Sequence, residues 1–277
     1  MYYRHLIALV LFAVAAVASQ DLVEPLVCNG ESNGRIVNGN AAVPKQIPYQ
    51  VGLIIYIGNS KYWCGGSLIS NIYVATAGHC AKGAFKAIVL LGATNIDDPN
   101  EVGQIRITVN EASFIVHEDY DEATLDNDIA LIRLTEAVVY NEYISNIKLP
   151  KNVGPYPSYA GEMARISGWG KESSAATNIT NILRYADVCI QPNFICYIQY
   201  FGSIKSTNIC AYGLLLKATC NGDSGGPLAF KVGDDYVLIG IVSFGFVLGC
   251  DRGWSSGFTR VTSYMPWIYS KTGIISP

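Results

Sequence analysis

The 277-residue sequence predicts an all-β fold, a barrel or a sandwich, on two observations. Short β-branched or aromatic runs recur along the chain, separated by Gly, Asn, Asp and Pro. No stretch of comparable length through the middle of the chain carries the apolar spacing of an amphipathic helix. With hydrophobic side chains at 50% of positions, the chain has ample material for a packed core.

The elements follow in order. Leu6 to Ala18 is an apolar run behind Arg4 that ends in the small residues Ala15, Ala16 and Ala18. It is too short for a membrane span and predicts a secretory signal over 1–18, hence export. Residues 19–35 are polar and turn-rich and end in Asn33-Gly34-Arg35-Ile36, where a basic residue in a glycine-flanked segment offers a tryptic target. Strands are expected at Tyr49 to Tyr56, Ala87 to Gly92 and Ile105 to Val109. Lys171 to Asn181, rich in Ser, Ala, Thr and Asn, predicts an exposed loop, and its Asn178-Ile179-Thr180 is an N-glycosylation sequon. Near the end, Ser263 as N-cap, Pro266 in the first turn, and Tyr264, Trp267 and Ile268 at helical spacing predict a helix over Ser263 to Gly273. A net charge of −3 without basic runs gives no support for nucleic-acid or anionic-membrane binding.

Chemistry concentrates in Cys220-Asn221-Gly222-Asp223-Ser224-Gly225-Gly226-Pro227. A serine hydroxyl is a poor nucleophile at neutral pH and needs a base, an orienter for that base and donors for the oxyanion. The glycines around Ser224 let the backbone approach a substrate closely, with the Gly222 and Ser224 amides as candidate donors. A solvated glycine-rich turn is the competing reading. Of the three histidines, His5 lies in the apolar leader, which leaves His79 and His117. His117 sits in a charged turn and reads as a surface residue. His79 sits in Thr76-Ala77-Gly78-His79-Cys80, and a carboxylate pair, Asp126-Asn127-Asp128, runs into the apolar Ile129-Ala130-Leu131. No histidine follows Ser224, so the α/β-hydrolase order of serine, acid, histidine is excluded.

Ala77-Gly78-His79-Cys80, Asn127-Asp128-Ile129-Ala130-Leu131 and Gly222-Asp223-Ser224-Gly225-Gly226-Pro227, in this order, resemble the motifs of the chymotrypsin family of serine endopeptidases. Ser167-Gly168-Trp169-Gly170 is similar to a fourth. The resemblance covers nearly all of Ile36 to Ile274. It implies two six-stranded antiparallel β-barrels side by side, the chain crossing between them near Lys148 to Gly161, with the site in the cleft and the C-terminal helix on the second barrel. His79 is then the general base, Asp128 its orienter and Ser224 the nucleophile, and Gly222 and Ser224 form the oxyanion hole. It also implies a domain from 36 to 277 that is activated by cleavage between Arg35 and Ile36, the new amino group pairing with Asp223.

The eight cysteines suit an oxidising compartment. Matching the motifs implies Cys64 with Cys80, Cys196 with Cys210, and Cys220 with Cys250. A further family bridge is absent, both of its positions being changed, to Ala164 and Phe230. Cys28 and Cys189 remain, and their pairing is open.

The family's specificity pocket maps to Ala218, six residues before the nucleophile, with Ser243, Gly245 and Ser256 as walls. Ala218 cannot bind a cation, and an uncharged slot with an open mouth selects Phe, Tyr, Leu or Met by burying their apolar surface. Asp251, if it turned inward, would admit basic residues. No cofactor or metal is expected. Asp97, Asp98 and Glu101 could suggest calcium, but Ala93 stands where calcium-binding relatives place their first glutamate. The implied function is a secreted, monomeric serine endopeptidase made as a zymogen, acting on proteins and peptides after large apolar residues. Its expected role is digestive, with a trypsin-like activating protease and protein inhibitors as partners. A brachyurin-type collagenolytic protease and a non-catalytic homologue that acts by binding are the alternatives.

Overall fold

The computed structural model describes Cys28 and residues 39–151, 153–213, 218–245, 249–250 and 253–275. The expected signal, the Arg35-Ile36 cleavage point and Asp251 lie outside the described residues.

Two seven-stranded antiparallel sheets form the body. The N-terminal strand β1 (Asn40–Ala41) joins the second sheet, where Asn40 lies opposite Tyr185. The first sheet contains β2 (Gln50–Ile57), β3 (Ser60–Leu68), β4 (Tyr73–Thr76), β5 (Lys86–Leu91), β6 (Ile105–Asn110), β7 (Phe114–Val116) and β8 (Ala130–Arg133). Their order is β6-β5-β2-β3-β4-β8-β7. The second contains β1, β9 (Met163–Gly168), β10 (Arg184–Gln191), β11 (Asn208–Tyr212), β12 (Pro227–Val232), β13 (Asp235–Phe244) and β14 (Ser256–Arg260). Because β9 pairs with both β10 and β12, six of these strands close on themselves and β1 is an added edge. The two expected barrels are therefore present, and the seventh strand of each sheet is a two- or three-residue segment, β1 and β7.

Alternation explains the strands. In β2, Val51, Leu53 and Ile55 are fully buried and face the first core with Leu68, Val89 and Leu131. A separate cluster around Ile166, Val188, Ile209, Leu228, Ile239 and Phe258 fills the second barrel. Burying such side chains contributes roughly 1.5–3 kcal/mol each. Between the barrels, Trp169 is completely buried, donates from Nε1 to the Thr94 carbonyl at 3.2 Å and meets Trp63 edge to face. The buried Ser167 hydroxyl donates to Gln50 Oε1 at 2.5 Å, a second tie across the same seam.

Ala164 and Phe230 lie directly opposite each other on β9 and β12, and the Phe230 ring packs on Tyr159 at 5.2 Å. Apolar packing thus occupies the place of the absent bridge. All four disulfides are formed, including Cys28 with Cys189.

The C-terminal helix departs from expectation in two ways. A 3₁₀ turn, Val261–Tyr264, precedes helix Met265–Thr272, so Ser263 is not the N-cap; Tyr264 holds that position without a side-chain cap. Pro266 stands in the first turn as expected and Gly273, at φ 70°, ends the helix. The helix docks on the first sheet rather than the second. Met265 and Ile268 enter the first core, while Trp267 and Lys271 reach Glu118. His117 is half-buried in this junction, its ring 5.1 Å from Trp267 and 5.5 Å from Tyr264, so it is a packing residue and not an exposed one.

Candidate active site

His79 lies in a single helical turn, α1 (Gly78–Ala81), that directly follows β4 and is pinned by the Cys64–Cys80 bridge. Asp128 precedes β8, which pairs with β4. Adjacent strands therefore deliver His79 and Asp128 to one end of the first sheet. Asn127 adopts the left-handed region at φ 54°, which asparagine tolerates better than most residues. Its side chain is fixed at both ends, Nδ2 donating to the Asp119 carbonyl and Oδ1 accepting from the Tyr264 hydroxyl. This turn aims Asp128 inward.

The Asp128 carboxylate is inaccessible and accepts three hydrogen bonds: from the His79 amide (2.8 Å), His79 Nδ1 (2.9 Å) and the Ser243 hydroxyl (2.5 Å). Its backbone carbonyl accepts from Thr259 Oγ1 at 2.7 Å. With Nδ1–H committed to the carboxylate, the tautomer is set and Nε2 is left as the basic nitrogen. Gly78 also has a local reason: a Cβ there would stand 3.0 Å from the Tyr120 ring and 3.2 Å from Asp128 Oδ1.

Ser224 arrives from the second barrel, in the loop before β12. Gly65 of β3 donates its amide to the Ser224 carbonyl at 2.7 Å, which ties this loop to the first barrel. Gly222 and Gly225 have φ of 102° and 81°, values that a side chain rarely permits. A Cβ on Gly225 would lie 2.2 Å from Thr76 Oγ1 and 2.5 Å from the Gly65 carbonyl. Around Ser224 the amides of Asp223, Gly225 and Gly226 are all spent on carbonyls. Those of Gly222 and Ser224 make no hydrogen bond among the described residues. Half-buried donors left unpaired on both sides of one hydroxyl are unusual in a folded chain.

Asp223 is the other buried carboxylate. It accepts the Gly170 amide at 2.8 Å and the Cys220 amide at 2.9 Å. Burial pushes its pKa up to about 6, and the two amides oppose the rise. Cβ atoms on Gly168 and Gly170 would come within 2.2 and 2.4 Å of this carboxyl group. The two glycines flanking Trp169 are thus the cradle for Asp223, a role that no local feature of the sequence assigns to them.

Beside Ser224 opens a cavity of about 450 Å³ lined by Ala218, Ser243, Gly245 and Ser256, all four residues expected there. Ala218 is buried. Ser256 Oγ accepts the Thr219 amide at 3.1 Å and bonds the Thr219 hydroxyl at 2.9 Å, so its polarity is used internally. No Cβ at Gly245 would touch anything within 4 Å, which keeps that side open. Trp254 and Phe244 add aromatic walls; Trp254 is not foreseen by the sequence, because nothing in its local run marks it. A second cavity, about 420 Å³, contains His79 and again Ser224.

Asn178 is exposed, and the following Ile179 covers Gly222: a Cβ on that glycine would be 2.7 Å from Ile179 Cγ2. The acidic turn before β6 is closed by its own hydrogen bonds. Glu101 accepts the amides of Thr94 and Asn95, and Gln104 Nε2 lies within hydrogen-bond distance of the Asn95 and Asp98 carbonyls and Glu101 Oε2.

A family profile described as Trypsin matches residues 36–268. The chain is 41% identical over 240 residues to brachyurin from Leptuca pugilator, covering 86% of this chain and 99% of that protein. It is 37% identical over 269 residues to a collagenase from Hypoderma lineatum, covering 96% and 98%. A solved structure of HL collagenase superposes with a TM-score of 0.75 at 36% identity, over 86% of this chain and 98% of that one. The profile spans most of the chain and both relatives are more than 30% identical over nearly their whole length, so the chain belongs to the trypsin family of serine endopeptidases.

Proposed function

We propose that the protein is a secreted digestive endopeptidase, made as a zymogen, that cleaves proteins and peptides after large apolar residues. One observation supports the catalytic reading above the others. The Ser224 loop keeps two unpaired amides, Gly222 and Ser224, beside a histidine whose tautomer is fixed by a buried carboxylate. His79 Nε2 takes the Ser224 proton as Oγ attacks the peptide carbonyl carbon. Asp128 stabilises the imidazolium, and the two amides bind the oxyanion. His79 then protonates the departing nitrogen, the carbon–nitrogen bond breaks, and water hydrolyses the acyl-enzyme with His79 again as base.

The apolar preference rests on buried Ala218 in a cavity that no carboxylate lines among the described residues, Lys171 being its one charged side chain. Activation would follow cleavage between Arg35 and Ile36, the new amino group supplying the cation that buried Asp223 lacks among the described residues. A trypsin-like protease is the activator, protein inhibitors are further partners, the chain acts as a monomer, and Asn178 carries the glycan. The names of two relatives, brachyurin and collagenase, favour a second reading, broad-specificity cleavage that extends to collagen.

The test is to activate the recombinant precursor with trypsin, remove the trypsin, digest a mixed peptide library and sequence the cuts. Cuts after Tyr, Phe, Leu or Met that vanish in Ser224→Ala support the proposal. Cuts after Lys or Arg reject the apolar pocket, and an inert protein with a free Ile36 amino group rejects catalysis. Incubation with native collagen separates the second reading.

A further inference from the structure

A third cavity, of about 540 Å³, shares no residue with the site described above; it opens where the segment between the barrels, strand β12 and the C-terminal tail converge. Its walls are largely apolar. Val153 of the connecting segment, Val232 of β12 and Ile275 of the tail are each more than half exposed there, while Tyr159 and Phe230 join the cavity to the second core. Large apolar side chains from three separate segments, exposed around one hollow, mark a surface that something covers. The charge of the cavity is one-sided. Lys148 and Lys151 line it, and no carboxylate does among the described residues. Lys148 is paired with Asp235, whereas Lys151 makes no ion pair with any described residue.

The chain itself carries a segment of matching chemistry, tethered at the edge of this cavity. Cys28 is bonded to Cys189 on β10, and its Sγ lies 3.9 Å from the Glu162 carbonyl. The Glu162 amide donates to the Tyr159 carbonyl at 3.0 Å, so the tether stands one turn away from a residue that lines the cavity. Upstream of Cys28, the sequence from Ser19 to Val27 holds the apolar Leu22, Val23, Leu26 and Val27, the carboxylates Asp21 and Glu24, and no lysine or arginine. At ~3.3 Å per residue such an arm reaches about 30 Å when extended, several times the width of the cavity. A free peptide of this size would bind weakly. A short tether, however, sets its effective concentration in about the millimolar range, so that even a weak seat stays filled.

We infer that residues 19–27 seat in this cavity, their apolar side chains against the walls and one carboxylate, Asp21 or Glu24, on Lys151. The inference goes beyond the endopeptidase reading and uses none of its catalytic residues. Among possible occupants the arm is favoured because a covalent bond holds it beside the cavity and its acids answer a cation that the fold leaves unpaired. The seated arm connects the segment between the barrels, β12 and the tail beside Phe230, where the family's further bridge is absent.

The uncleaved Ser224→Ala chain, starting at Ser19, is treated with a water-soluble carbodiimide, which joins a carboxylate to an amine only where the two touch, and is then mapped by peptide mass. The Lys148–Asp235 pair, in contact in the fold, supplies the reference link in the same digest. Asp21 or Glu24 should be joined to Lys151. The triple variant Leu22→Ser, Val23→Ser, Leu26→Ser keeps the tether and both acids, and should lower that yield by about tenfold or more relative to the reference link, because apolar burial holds the seat. An unchanged yield means an arm that is tethered but not seated and overturns the inference. So does a digest in which the reference link forms while Lys151 stays unjoined to the arm. An equal mixture of isotope-heavy and light chains separates the other occupants. Links between heavy and light chains place the arm of a second copy in the cavity and overturn a seat within one chain, and an apolar acid recovered from the denatured protein at one equivalent overturns the arm as occupant.

Discussion

Asp223 makes the uncleaved chain sensitive to pH in a specified direction. Its ordinary value of 3.8 rises to about 6 in the fold because burial penalises the charge and only two amides answer it. Between those two values the folded chain binds more protons than the unfolded one. The contribution of this carboxyl group to stability is therefore fully present at and below about pH 4 and is lost as pH rises through about 6. The full penalty corresponds to ~3 kcal/mol, a large fraction of a typical domain's stability. Urea unfolding of the uncleaved Ser224→Ala chain should be compared, from pH 4 to 7, with the same chain carrying Asp223→Asn. The carboxamide keeps an acceptor and cannot ionise, so the stability difference between the two should shift by about 3 kcal/mol against the aspartate across that interval. Parallel pH curves for the two chains would refute the reasoning. In the chain cleaved at Arg35 the slope should vanish or reverse, because an ammonium beside the carboxylate lowers its pKa below the ordinary value.

Three further outcomes are expected. Gly225→Ala places a Cβ against Thr76 and the Gly65 carbonyl at a positive φ, and should cost more than ~3 kcal/mol in denaturant unfolding; a loss below about 1 kcal/mol in that measurement would contradict the close approach. Ala218→Asp should introduce cleavage after Lys and Arg and lower cleavage after Tyr by about tenfold or more in a peptide library, since a buried carboxylate demands a cationic partner. A chelator should leave the thermal midpoint of the wild type unmoved, whereas Gln104→Ala, which removes an amide shared among three oxygens that each keep a backbone donor, should destabilise the loop by about 0.5–1.5 kcal/mol in denaturant unfolding; a chelator-sensitive wild type would argue against a loop closed by its own hydrogen bonds.

Much of the site was legible because its chemistry is local. Each residue proposed for catalysis sits in a short run whose composition already suits its role, with small neighbours around Ser224, a cysteine beside His79, and a carboxylate pair leading into a buried strand. Ala218 could be placed by counting six residues back from Ser224, and Gly245 from the family's pattern of serine, aromatic residue and glycine in Ser243-Phe244-Gly245. What escaped depends on contacts between distant segments. Gly168 and Gly170 owe their importance to Asp223, more than fifty residues away, and no window around them contains that carboxylate. Trp254 and Trp63 read as ordinary apolar residues until the fold brings one to each cavity. The C-terminal helix was legible as a helix from its spacing and its proline. Its seat on the first sheet was not, because the partner residues His117 and Glu118 look like a solvated charged turn. Strand β1 was invisible for a similar reason: two residues carry no periodicity, and only pairing with Tyr185 and Arg184 makes them a strand.

The bond between Cys28 and Cys189 separates breaking the chain from parting it. Cys28 lies upstream of Arg35, so a cut there leaves a two-chain molecule of almost unchanged mass, its short chain joined to β10 through Cys189. Gel filtration or a non-reducing gel would then report no difference between the uncut and the cut protein. Counting amino termini, or reducing the sample first, would.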